Sequence, residues 1–275
     1  MTTSTFIAAC IQNSATSDVD HNIDVASRLI RQAAKDGANF IATAEYFSGL
    51  TTKDGLFLPV AFPEANNPVL KAFTALADEL NIWLLLGSLG IKRDDGSINN
   101  RSYLIDNNGE IVSRYDKIHL FDVNLNGVAY RESATIAAGD KAAVVKTPFA
   151  NIGLSICYDL RFGALYRSLA QQGANMLATP AAFTKVTGEA HWHVLQRARA
   201  IENGAFVIAP CQFGEIEGGG ACYGHSLIVD PWGAVLADGG EGEGVVLAEI
   251  DMAKVQEARG RIPSLAHDVN FSKPN

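Results

Sequence analysis

Only four cysteines occur in the 275 residues, Cys10, Cys157, Cys211 and Cys222, and no two stand as Cys-x-x-Cys or at a zinc-ligand spacing. That excludes a disulfide framework and a cysteine zinc site, and it predicts free thiols, most of them buried and inert. No segment reaches the ~20 apolar residues of a membrane span. The best candidate, Ile82–Ile91, is interrupted by glycine and serine. Met1–Ser14 has no basic n-region, and its apolar stretch Phe6–Ile11 is too short for a secretory signal. Basic charge is in deficit, with 22 Lys and Arg against 30 Asp and Glu and a net charge of −8. An acidic surface argues against nucleic acid or an anionic membrane as the main partner, although a local basic pocket can still receive a small anion. The expectation is a soluble, cytoplasmic protein.

Apolar residues are abundant, at 48 %, and charged ones make up 19 % with mixed sign, as in a globular chain with a large core. No linker or shift in composition divides the sequence, so residues 1–275 read as one domain. Apolar runs alternate with helical periodicities. Strands are predicted at Thr5–Gln12, Asn39–Ala44, Ile82–Ser88, Ile152–Ile156, Met176–Thr179, Phe206–Ala209, Ser226–Val229 and Val245–Ile250. Helices are predicted at Asp20–Gly37, Pro68–Leu80, Phe162–Gln171, His191–Asn203 and Met252–Arg259. Arg101–Ile105 and Ile111–Arg114 form a hairpin around Asn107-Asn108-Gly109. Tyr115–Gly139 is polar and reads as a long functional loop. The tail from about residue 260 has little pattern and is expected to pack on a partner subunit. Alternating strands and helices give an α/β layered fold.

Three reactive residues follow predicted strands, where α/β proteins build sites. Glu45 follows Asn39–Ala44, Lys117 follows Ile111–Arg114, and Cys157 ends Ile152–Ile156. A thiol with an ordinary pKa of ~8.5 needs a base or a cation to act as a nucleophile at neutral pH. Glu45 is placed to remove its proton and Lys117 to stabilise the anion. A helix start after Cys157 offers free N–H groups to a developing oxyanion.

Glu45 after a strand, Lys117 in Asp-Lys-Ile-His-Leu-Phe-Asp and Cys157 in Gly-Leu-Ser-Ile-Cys-Tyr-Asp-Leu-Arg-Phe resemble the Glu–Lys–Cys triad of the nitrilase superfamily of carbon-nitrogen hydrolases. Glu132, in Arg131-Glu132-Ser133 before Gly139-Asp140, matches a second glutamate of that family. The similarity runs over nearly the whole chain. Cys-Tyr-Asp resembles the amidase branch; nitrilases proper carry tryptophan after the nucleophile. Thr187–Trp192, Arg197–Glu202, Tyr223–Ser226 and Asp230–Gly233 resemble Nit-type amidases acting on deaminated glutathione or 2-oxoglutaramate. His119–Val123 with Cys211–Gly214 leans toward the former.

The resemblance implies a four-layer αββα sandwich paired into homodimers or higher homo-oligomers. It implies an amidohydrolase that cleaves a carboxylate-bearing linear amide to acid and ammonia through a thioester on Cys157, with no cofactor and no metal. Lys117 and the Tyr158 N–H would hold the oxyanion, and Glu132 would orient Lys117 or the substrate amide. The chain departs from the family at Ala44, Gly163-Ala164, Ala181 and His193, where proline, Pro-Glu, serine and glutamate are usual. These changes bear on the pocket rather than the triad.

Tyr158, Arg161, Phe183, Thr184 and His191 are the expected substrate contacts. Arg161 alternatively pairs with Asp159 beneath the nucleophile turn. His191 and His193 suggest a metal site, but residues two apart on a helix face different directions, which favours packing. Gly224-His225-Ser226 and Gly240–Gly244 read as turns. The competing functions are an N-carbamoyl or aliphatic amidase, a catalytically silent binding protein on the same fold and, more weakly, a metal-dependent hydrolase.

Overall fold

The computed structural model describes residues 5–125 and 127–272. Two sheets stack face to face because each carries apolar residues on both of its sides. In the first, Thr5–Gln12 lies between Phe40–Thr43, parallel to it, and Gly244–Asp251, antiparallel to it. Trp83–Lys92, Ile98–Ile105 and the short Ile136–Ala137 extend the sheet beyond Phe40–Thr43, with Ala61–Phe62 and Ile111–Asp116 attached at the side. The second runs Ala143–Lys146, Asn151–Leu154, Met176–Ala178, Phe206–Ala209, Leu227–Val229, Val235–Asp238. Its Asn151–Leu154, Met176–Ala178 and Phe206–Ala209 strands are parallel.

Alternation along one strand sorts the core into layers. Phe6, Ala8 and Cys10 face the second sheet and share a core with Leu154, Met176 and Phe206. Ala9 and Ile11 face outward onto two helices. The first, α1 (Val19–Lys35), starts where the Asp18 side chain accepts from His21 N, and it buries Ala26, Leu29, Ile30 and Ala33. The second, α2 (Pro68–Leu80), has Pro68 at its first position, where a missing N–H is harmless, and Asn67 accepting from Val69 and Leu70. Over the second sheet, α3 (Gly163–Gln171) and α4 (Lys185–Asn203) bury Tyr166, Leu169, Trp192 and Ala200. The result is the expected four-layer αββα sandwich. A last helix, α5 (Ala253–Arg261), follows the Gly244–Asp251 strand.

Three local expectations need correction. Tyr115–Gly139 is not an irregular loop: it holds a hairpin of Asp122–Leu125 with Val128–Arg131, a 3₁₀ turn at Glu132–Ala134 and the strand Ile136–Ala137. These pieces are short and half polar, so no periodicity betrays them. The helix expected from His191 starts at Lys185, because Thr187 and Gly188, weak helix formers, are held by packing. A hairpin of Leu50–Lys53 with Leu56–Pro59 was not anticipated. Asp54 and Gly55 both have positive φ (51° and 78°), the demand of a type I′ turn, and the Asp-Gly pair was its legible signal.

The tail returns onto its own chain, where Asp268 accepts from Gln171 Nε2 at 2.8 Å and the Ser264 hydroxyl donates to Glu202 O. Val269 and Phe271 are exposed. No helix among the described residues is long and apolar enough to cross a membrane.

Candidate active site

The parallel strands end on one side of the sandwich, and their following residues converge there. Phe40–Thr43 delivers Glu45, whose neighbour Tyr46 has a left-handed φ of 51°. Close approach at this point requires Gly87 in the adjacent strand: a Cβ there would collide with the carbonyl oxygens of Thr43 and Ala44. Ile111–Asp116 delivers Lys117. Asn151–Leu154 leads through Ser155 and Ile156 to Cys157, which opens a 3₁₀ turn over Cys157–Arg161.

Cys157 itself has a φ of 47°, uncommon for a non-glycine residue, so the turn it opens is strained. Two interactions hold it. The Cys157 N–H donates to Pro180 O at 2.9 Å. The buried Asp159 carboxylate accepts from Ile156 N at 2.9 Å, His119 N at 2.9 Å and the Tyr115 hydroxyl at 2.6 Å. It also meets His119 Nδ1 at 2.7 Å, and that imidazole stacks on Phe162. Asp159 is therefore the clamp beneath the turn, and its partners are Tyr115 and His119. The alternative in which Arg161 pairs with it is corrected: Arg161 turns outward, its guanidinium over the rings of Tyr158 and Phe183 and 3.2 Å from His191 Nδ1.

Glu45, Lys117 and Glu132 are buried and share one ammonium. Lys117 Nζ lies 2.9 Å from Glu45 Oε1 and 3.0 and 2.9 Å from the two oxygens of Glu132. Burial disfavours the Lys117 charge, but Glu132 and Glu45 outweigh it and lift its pKa well above the usual lysine range. Burial pushes Glu132 upward against the pull of Lys117. Phe121 N–H donates to Glu132 Oε2 at 2.6 Å, and Ala182 N–H to Glu45 Oε2 at 2.7 Å.

Sequence reasoning missed Asn100. Its Nδ2 donates to Glu45 Oε1 at 2.8 Å and reaches Glu132 Oε1 at 3.3 Å, and its carbonyl accepts from Lys117 N. An asparagine inside a buried strand is the signal that pointed to it, since such a side chain needs partners.

For Cys157, burial and the Glu45 charge raise the thiol pKa well above normal, and Lys117 only partly opposes them. The surroundings of Cys157 thus favour the neutral thiol over the thiolate. Cys10, Cys211 and Cys222 are buried, and burial raises each of them, Cys211 to about 12. None of these three lines the cavity, whereas Cys157 does.

The cavity holds about 370 Å³, its mouth included. Its floor is Glu45, Lys117, Glu132 and Cys157, and its walls include Tyr46, Phe57, Phe121, Tyr158, Phe183 and Thr184. Phe57 and Tyr130 come from the two hairpins and stack at 5.6 Å between centroids, and Phe121, just before the second hairpin, meets Phe57 edge-on at 6.0 Å and Tyr130 at a tilt at 5.5 Å. The Tyr46 hydroxyl is buried with no hydrogen-bond partner among the described residues. Thr184 also borders a wider groove of about 1950 Å³, open solvent included, walled by Thr16, Lys185, Glu189 and Gly218–Gly220. Of the expected substrate contacts, Tyr158, Phe183 and Thr184 line the cavity; Arg161 and His191 form a pair beside it.

The carbon-nitrogen hydrolase family model matches residues 7–260. A protein of Synechocystis sp. named deaminated glutathione amidase is 40 % identical over 270 residues, 96 % of this chain and 98 % of that one. The omega-amidase NIT2 of Mus musculus is 35 % identical over 263 residues, 95 % of this chain and 94 % of that one. Among solved structures, the NitFhit protein of C. elegans superposes with a TM-score of 0.88 at 33 % identity, over 98 % of this chain and 66 % of that one.

Proposed function

The chain belongs to the carbon-nitrogen hydrolase family, and on that premise we propose that it is a cysteine-dependent amidohydrolase releasing ammonia from a carboxylate-bearing linear amide, with Cys157 as nucleophile. The observation that carries this is the joint burial of Cys157, Glu45, Lys117 and Glu132 on one cavity floor, with a single ammonium between two carboxylates.

The charge balance dictates the order of events. Two carboxylates and one ammonium leave the floor with a net negative charge, so a free thiolate would add a second uncompensated charge in a buried place. Proton removal therefore accompanies attack. Cys157 Sγ bonds to the amide carbonyl carbon as Glu45 takes the thiol proton. Lys117 and the Tyr158 N–H receive the oxyanion. Collapse breaks the C–N bond, and Glu45 passes its proton to the departing ammonia. Glu45 then takes a proton from water, whose oxygen attacks the thioester, and the thiol and a carboxylic acid are released. Glu132 and Asn100 hold the Lys117 ammonium in place throughout.

Deaminated glutathione is the proposed substrate, because the narrow cavity continues at Thr184 into a groove long enough for a peptide-sized acyl chain. Lys185 on its wall and Arg161 beside Phe183 are the cations available to a carboxylate. 2-Oxoglutaramate is the alternative, favoured by the small volume of the cavity itself. A cytoplasmic homodimer, with the exposed Val269 and Phe271 of the tail at a subunit contact, is part of the same proposal. Ammonia release from both substrates, wild type beside Cys157→Ala, tests it. Release that disappears in the variant supports the nucleophile, and no release from either substrate removes the substrate class.

A further inference from the structure

On the far side of α4 from the cavity, two imidazoles and a carboxylate converge from three separate elements. His193 Nε2, on α4, lies 3.0 Å from one oxygen of Asp238, at the end of Val235–Asp238. His225 Nδ1, in the turn before Leu227–Val229, lies 2.8 Å from the other oxygen. The three donor atoms are within 4.8 Å of one another. We propose that His193, His225 and Asp238 bind a borderline transition divalent cation of the Zn²⁺ class.

The donor set suits that class. Two imidazole nitrogens and one carboxylate oxygen select Zn²⁺, Co²⁺ or Ni²⁺ over the all-oxygen preference of Ca²⁺ and Mg²⁺, and three protein ligands leave a position for water. Both histidines are held for the purpose. His225 has a left-handed φ of 52°, its N–H donates to Gly240 O at 2.7 Å, and its ring stacks on Tyr223 at 4.5 Å. Asp238 Oδ1 also accepts from Gly240 N at 2.9 Å. Glu189 and Glu241 act on the neighbouring Tyr223 hydroxyl, and Glu241 is itself paired with Lys185 Nζ at 3.0 Å. Glu189 stands one helical turn before His193 on α4 and is exposed.

Metal binding needs no redox partner. Each neutral imidazole moves its N–H to the ring nitrogen away from Asp238, and the freed lone pairs take the cation. A protonated imidazole releases one proton instead. The consequence is local stiffening. α4 begins with Lys185 just after Thr184 of the cavity wall, and Tyr223 N donates to Phe183 O at 2.9 Å. A cation here ties α4 and that wall to the second sheet. The binding does not depend on the amidase activity.

The test uses the untagged full-length chain, stripped with chelator and titrated with Co²⁺ by visible absorption and with Zn²⁺ by calorimetry. The expected result is one ion per chain with the intense bands of a four-coordinate Co²⁺ site and a higher melting temperature. Affinity should fall at least about tenfold in His193→Ala and in Asp238→Asn and stay unchanged in Cys157→Ala, which removes the cavity thiol. His193 is a third exposed, so its loss should leave the fold intact. Should the alanine variant melt early, His193→Gln replaces it, keeping a donor to Asp238 without the imidazole. Absence of one-to-one binding, or binding that is equal in the wild type and the His193 variant, overturns the proposal.

Discussion

Glu132→Gln isolates the role of the second carboxylate, because it preserves shape while changing charge. Glu132 accepts from Lys117 with both oxygens, from Phe121 N–H and from Asn100 Nδ2. A glutamine has one acceptor oxygen, so in either orientation its NH₂ faces the Lys117 ammonium, together with Asn100 Nδ2 or the Phe121 N–H, donor against donor. Removing one charge from a buried, hydrogen-bonded pair costs about 3–5 kcal/mol. Expressed wholly in the transition state, at ~1.4 kcal/mol per tenfold, that is a loss of about two to three and a half powers of ten in kcat/KM.

The thiol responds in the opposite sense. Glu132 is among the charges that raise the Cys157 pKa, so its neutralisation brings that pKa down. The alkylation rate of Cys157 by iodoacetamide, followed against pH, should shift to lower pH in Glu132→Gln while ammonia release collapses. A purely structural glutamate would slow both. Turnover within about threefold of wild type, or an unmoved alkylation profile, refutes the reasoning.

Tyr46→Phe should leave the melting temperature unchanged or raise it, since the hydroxyl is buried without a partner; if that hydroxyl meets substrate, kcat/KM falls about tenfold through one lost hydrogen bond. Asp159→Asn should lower stability by about 3 kcal/mol, seen in urea unfolding, because Ile156 N, His119 N and the Tyr115 hydroxyl lose a shared charged acceptor. Stability should also fall as pH rises above about 9. The unfolded thiols ionise near 9.0, whereas burial keeps native Cys211 protonated to about 12 and raises Cys10 and Cys222 as well. The unfolded state then binds fewer protons, at up to ~1.4 kcal/mol per thiol per pH unit, and urea midpoints measured between pH 8 and 10 check the sign.

The layered fold was legible because its core strands and α1 and α2 carry strong periodicities: Thr5–Gln12 and Pro68–Leu80 match the structure end to end. The floor of the site was legible because each reactive residue follows such a strand. The walls were less so. Phe57 sits on a hairpin whose only loud signal is Asp54-Gly55, and Tyr130 on one whose four-residue strands are too short for alternation to speak. Asn100 was hidden because the expected strand Arg101–Ile105 begins one residue after it whereas the strand runs from Ile98, and the partners of Asp159 by sequence distance, since Tyr115 and His119 reach it across 44 and 40 residues. His193 reads as packing because it and His191, two apart on a helix, face different directions; its own partners, His225 and Asp238, are brought to it by tertiary structure alone.

The most direct test of the central claim is to find the acyl group. Wild-type protein turning over deaminated glutathione is quenched in acid, and the intact chain and its peptides are weighed by mass spectrometry. A thioester to Cys157 predicts an adduct equal to the substrate less ammonia, confined to the peptide bearing Cys157, with neither adduct nor ammonia from Cys157→Ala. An acyl group on another residue, or a Cys157→Ala variant that still releases ammonia at the wild-type rate, would contradict the account.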